Sequence, residues 1–201
     1  ARPSAVDETS TSVLAKHRGG AVRLRSRAPN PVLRREDAAD AARVRPGSTV
    51  VVVGDGAVGL MAVLAAQQRG VERIIAMSRH PKRQALAQAF GATDIVSERG
   101  EKGIARIREM TGGVGADSVL ECVGTAESMA QALNCCRPGG SIGYVGVPHG
   151  VEFDGQQLFF HQKNMLGGPA PVRRFLPDLM ELVLSRKIDP GKVFDLELPI
   201  A

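Results

Sequence analysis

From about residue 46 onward the chain alternates two hydrophobic rhythms. Val50-Val51-Val52-Val53 is an unbroken β-branched run between Gly47 and Gly54. Such a run reads as a strand buried on both faces. Leu60, Val63 and Leu64 then fall at helical spacing, and Gly70 stands where that helix would stop. A second strand is predicted at Arg73–Met77, followed by His80-Pro81, with proline suited to a first helical turn, and Gly91 to close the helix. Asp94–Val96 reads as a third strand. Ile104, Ile107 and Arg108 mark a helix ending at Gly112-Gly113. Ser118–Val123 is the fourth strand and Glu127–Cys136 the fourth helix. The turn Pro138-Gly139-Gly140 leads into a fifth strand, Ser141–Val147, and Lys163–Leu166 is the sixth. A last helix, Phe175–Arg186, places Leu176, Leu179, Met180, Val183 and Leu184 on its inner side. Strands alternating with helices of about ten residues require crossovers and a parallel sheet. The predicted fold class is therefore α/β: a Rossmann-type, doubly wound parallel sheet in three layers.

Upstream the rhythm is lost. Pro29-Asn30-Pro31 and Gly19-Gly20 interrupt a mixture of Arg, Ser, Pro, Asp and Ala with neither period. The expectation is a poorly ordered basic segment over residues 1–43, with a short helix near Arg35–Arg43, and one globular domain over residues 44–201. Charge sharpens that division. The formal net charge is +5, and residues 1–45 carry all of it, with ten Lys/Arg against five Asp/Glu. The rest is neutral, and the basic segment has no aromatic side chain to stack on a base, so nucleic-acid binding is not expected. With no Trp and 3% aromatics, the core must come from aliphatic side chains, as in sheets buried on both faces. Three cysteines, Cys122, Cys135 and Cys136, form no spaced disulfide framework, which fits a reducing cytoplasm. No apolar run reaches the length of a membrane span, and no signal-peptide core is seen at the start.

The chemistry centres on Gly54-Asp55-Gly56-Ala57-Val58-Gly59, a G-x-G-x-x-G loop between a strand and an amphipathic helix. Gly54 allows the tight turn, Gly56 lets backbone approach a pyrophosphate, and Gly59 lets helix pack on strand. The helix start offers free N–H groups and a positive dipole end to phosphate. An NAD site usually has an acidic residue ending the second strand. Here that position reads Met77-Ser78-Arg79-His80, followed by Lys82 and Arg83, with no carboxylate in that stretch. Ser78, Arg79 and Arg83 suit a 2′-phosphate, so NADP is the expected cofactor and NAD the alternative. A glycine-rich turn without ligand and a methyltransferase loop are the competing readings; the latter would want an acid where Ser78 stands.

The stretch from Val44 to Ile200 resembles the cofactor domain of the zinc-type, medium-chain alcohol dehydrogenases. The resemblance is carried by Arg45-Pro46-Gly47-Ser48-Thr49-Val50, the glycine loop, Ala89-Phe90-Gly91-Ala92-Thr93-Asp94 and Gly112-Gly113-Val114-Gly115-Ala116-Asp117. Glu121-Cys122-Val123-Gly124 and Arg137-Pro138-Gly139-Gly140 continue it. It implies that Val123 and Gly124 lie near the adenosine half, and Val145, Gly146 and Val147 under the nicotinamide. It also implies hydride transfer between the nicotinamide and an alcohol or aldehyde, and an edge at the fifth and sixth strands able to pair in a homo-oligomer.

The departures from the family are equally informative. The intact family holds a catalytic zinc through Cys, His and acidic ligands in a separate domain. Here no Gly-His-Glu segment precedes residue 45, no cysteine precedes Cys122, and His17 stands alone. His149 and His161 lack a nearby cysteine. No catalytic or metal-binding residue is therefore assigned. The reading is a cofactor domain cut at both ends, with residues 1–40 conceivable as translation in a wrong frame. The alternatives are a non-catalytic NADPH-binding module and a zinc-independent reductase of the quinone-oxidoreductase type.

Overall fold

The computed structural model describes residues 38–194; expectations about residues 1–37 and 195–201 lie outside the described residues. Six strands pair in parallel throughout. They are β1 (Thr49–Val53), β2 (Arg73–Met77), β3 (Asp94–Val96), β4 (Ala116–Glu121), β5 (Cys136–Tyr144) and β6 (Asn164–Gly167). Their order is β3-β2-β1-β4-β5-β6, the doubly wound order in which the chain reverses direction between β1 and β4.

The valine run builds both halves of the core. Side chains alternate across a strand, so Val50 and Val52 enter one cluster with Leu60, Val63, Ile74 and Phe90. Val51 and Val53 enter the opposite one with Ile75, Val96, Ile107, Val119 and Ile142. Helices α2 (Ala57–Gln68) and α3 (Pro81–Ala89) cover the first face. Helices α4 (Gly100–Met110) and α5 (Ala126–Cys135) cover the second. The three-layer expectation holds.

Boundaries moved where sequence pattern was weakest. The fourth strand stops at Glu121, leaving Cys122 and Val123 in the turn beyond it. The fifth begins at Cys136, ahead of the Pro-Gly-Gly segment. The register there jumps from Ala116↔Cys136 to Ser118↔Ser141, so Arg137–Gly140 bulge out of a strand already begun. A short helix α6 (Gly155–Phe160), capped by the Asp154 carboxylate on the N–H groups of Gln156 and Gln157, had no expectation. Helix α1 (Ala38–Ala41) buries Ala38, Ala39 and Ala41. Its backbone lies so close to Gly143 of β5 that a Cβ there would meet the Ala42 nitrogen at 2.8 Å. Residues 38–43 thus pack with the sheet, upstream of the expected start at 44.

The last helix, α7 (Val172–Leu184), corrects the sequence reading. Its expected inner side is open: Leu176, Leu179, Met180, Val183 and Leu184 are all exposed, Leu184 at 75%. No residue of α7 is fully buried. The amphipathic pattern is real, but the helix follows the edge strand β6, and no described element covers its apolar stripe.

Candidate functional site: the carboxyl edge of the sheet

Parallel strands all end on one edge, and the loops leaving β1, β2, β4 and β5 meet there. Gly54 leaves β1 with φ of 119°, in the region open to glycine. Helix α2 starts at Gly56 with no side chain capping its N–H groups. A Cβ built on Gly59 would fall on the Gly54 carbonyl, 2.7 Å from its carbon. A Cβ on Gly56 would meet nothing within 4 Å. Gly59 therefore serves helix–strand packing, whereas the space above Gly56 belongs to no protein atom. In the loops and helix start at this edge Val58, Val123 and Val147 are exposed at 53, 46 and 66%, a pattern expected of apolar side chains lining a ligand groove. A glycine cradle, free N–H groups at a helix start and an apolar rim together fit a dinucleotide.

The turns after β4 and β5 are held by Glu121. Its carboxylate is fully buried, and one oxygen accepts from the N–H groups of Val123 (2.9 Å) and Gly124 (2.8 Å). The Glu121 carbonyl accepts from Val145 N–H at 3.0 Å. A Cβ on Gly146 would sit 2.7 Å from the second carboxylate oxygen, Oε2, which has no partner. Val123, Gly124, Val145 and Gly146 thus meet around Glu121, with Val147 beside Gly124. Below them a cavity of about 30 Å³ lies between Met77, Arg99, Val123 and Gln131. The buried Gln131 amide nitrogen has no hydrogen-bond partner.

Asp55 was missed in the sequence. Ser78 is buried and donates to Asp55 Oδ2 at 3.0 Å, and the Arg79 N–H donates to the same oxygen at 3.2 Å. Arg83 reaches Oδ1 at 3.4 Å and Arg99 lies 4.0 Å from it. Burial raises the Asp55 carboxyl, but the hydrogen bonds from Ser78 and Arg79 and the Arg83 charge outweigh it, and its pKa falls below the ordinary value. The end of β2 therefore does have a carboxylate, supplied by the glycine loop. Strand register brings it there: Val53 pairs with Met77, so the second residue past β1 faces the second past β2.

Cys135 and Cys136 lie where α5 passes into the start of β5, at the opposite end of the strands from this edge. Burial pushes the Cys135 thiol up to about 12 and Cys136 to about 11, and all three cysteines are free. His149 and His161 are exposed. Among the described residues no group of three or more His, Cys, Asp or Glu is placed to hold a metal ion, so no step through zinc is derived. Nor is any helix among them long and apolar enough to cross a membrane.

Comparison with known proteins agrees with this geometry. The family model for zinc-binding dehydrogenases matches residues 57–185. A probable zinc-binding alcohol dehydrogenase of Mycobacterium tuberculosis is 38% identical over 165 residues, covering 81% of this chain and 42% of the relative. The NADP-dependent isopropanol dehydrogenase of Thermoanaerobacter brockii is 35% identical over 161 residues, covering 77% and 46%. The chain thus spans less than half the length of these two relatives. Among solved structures, alcohol dehydrogenase TADH from Thermus sp. ATN1 superposes with a TM-score of 0.68 at 32% identity, covering 77% of this chain and 46% of that one. This chain belongs to the zinc-binding dehydrogenase family, of which its described residues form a parallel α/β domain.

Proposed function

We propose that this chain binds a nicotinamide dinucleotide across the carboxyl edge of its sheet, as the cofactor domain of an NAD(P)-linked oxidoreductase acting on an alcohol or aldehyde. The observation that carries the reading is the unfilled space above Gly56 at an uncapped helix start. In this reading Gly54, Gly56, Ala57 and Val58 border the pyrophosphate, Gly59 seats α2 against the turn so that its start can face the phosphates, and the N–H groups of α2 are the donors. Val123 and Gly124 line the adenosine half; Val145, Gly146 and Val147 lie under the nicotinamide. When bound, that ring supplies the hydride acceptor or donor. The chain's own part in this reading is to bind and orient it.

NADP is the preferred form in this proposal. Arg83 and Arg99 give two cations around the Asp55 carboxylate at the end of β2, where Ser78 and the Arg79 N–H also meet it. The NADP dependence of the isopropanol dehydrogenase relatives is in keeping with this. Residues 44–201 are proposed as the functional unit, holding cofactor without turning over substrate alone, in a cytoplasmic setting. A thermal-shift series with NADPH, NADH and S-adenosylmethionine tests the reading. NADPH should raise the melting temperature most. Equal shifts from NADH would defeat the 2′-phosphate argument, and a larger shift from S-adenosylmethionine would defeat dinucleotide binding itself.

A further inference from the structure

We infer that Asp55, not the end of β2, sets how strongly this site favours a 2′-phosphate, and that its carboxylate holds NADP preference in check. The inference rests on the dinucleotide reading above. Ser78 and Arg79 mark where the adenosine ribose hydroxyls or their phosphate would come, at the end of the second strand. Asp55 already occupies the groups meant for that phosphate. Its side chain, 7% exposed, takes the Ser78 hydroxyl and the Arg79 N–H on one oxygen and faces Arg83 and Arg99 with the other. A ribose diol could donate to such a carboxylate. A 2′-phosphate, carrying close to two negative charges, must approach it as a like charge while drawing the guanidiniums away. The Arg83 and Arg99 side chains are 49 and 39% exposed and free to turn outward, so the site accepts both cofactors and Asp55 weights the choice.

Asp55→Asn keeps the shape and an oxygen to accept from Ser78 and Arg79 but removes the charge. Calorimetric titration of the full chain with NADPH and NADH gives the ratio of the two affinities, which a merely structural role would leave alone because the ligands differ only in one phosphate. The ratio should move toward NADPH by about tenfold, with NADH binding weakened in absolute terms. Asp55→Ser, which retains a small acceptor for the Arg79 N–H, should move it the same way and serves if the amide variant does not fold. An unchanged ratio, or a shift toward NADH, in a folded variant overturns the inference. If the unaltered chain binds neither nucleotide, the dinucleotide reading fails first, and this inference with it.

Discussion

At residue scale the site is made by what the side chains leave open. Gly54, Gly56 and Gly59 share one motif but face three environments: a left-handed turn, empty space and a backbone carbonyl. Their substitution should separate accordingly. Gly59→Ala drives a methyl into the Gly54 peptide and should lower stability by roughly 2–3 kcal/mol in denaturant unfolding; a loss below about 0.5 kcal/mol would contradict the packing. The thiols give a second check. Cys135 and Cys136 are buried and their pKa values lie near 12 and 11, so the native chain should resist alkylation at about pH 8 until denaturant is added. Rapid native labelling at either would refute their burial. The glycine roles were legible in the sequence because each residue type is restricted by sterics. Asp55 was not, because a loop residue's neighbour depends on strand register, which the string of letters does not display.

At element scale the strand starts are tied together by Asp117. It accepts from the Thr49 N–H at 2.8 Å and from Arg137 Nε at 2.7 Å, linking β1 and the bulge of β5 to β4. Burial works against its charged form, but these two donors and the Arg137 charge hold its pKa below the usual value. A depressed carboxyl stabilises the fold above its unfolded pKa, near 3.8 here, and that contribution disappears as pH falls through the lower folded value. Asp117→Asn should therefore cost roughly 1 kcal/mol at about pH 7 and flatten the stability loss below about pH 4. Equal acid sensitivity of variant and parent would contradict this. Helices α2 to α5 and strands β1 to β4 were largely readable: α2, α3 and α4 stop just before Gly70, Gly91 and Gly112, and the valine run of β1 ends on Gly54. Helix α7 was readable in place but not in packing: its stripe of Leu176, Leu179, Met180 and Val183 predicts a buried face, and burial depends on a neighbour the pattern does not name. Leu179→Lys should change stability by no more than about 0.5 kcal/mol; a loss of several kcal/mol would show that the stripe is covered in solution.

At the scale of the whole molecule, the strand order carries the functional meaning. The strand order reverses between β1 and β4, and the segments carrying Gly56, Val58, Val123 and Val147 follow β1, β4 and β5 on the carboxyl edge. In the proposed function the space above Gly56 is kept for a pyrophosphate. Gly56→Asp tests it most directly. Gly56 has φ of −74° and its Cβ position touches nothing, and Asp is a favoured residue at a helix start. The fold should be unharmed or slightly stabilised, whereas a carboxylate in that space would repel the phosphates. In calorimetric titration the parent chain should bind NADPH and the variant more than tenfold more weakly, at equal or higher melting temperature. A Gly56→Asp variant that keeps the parent's NADPH affinity, or a parent chain that does not bind NADPH, would contradict that role of Gly56.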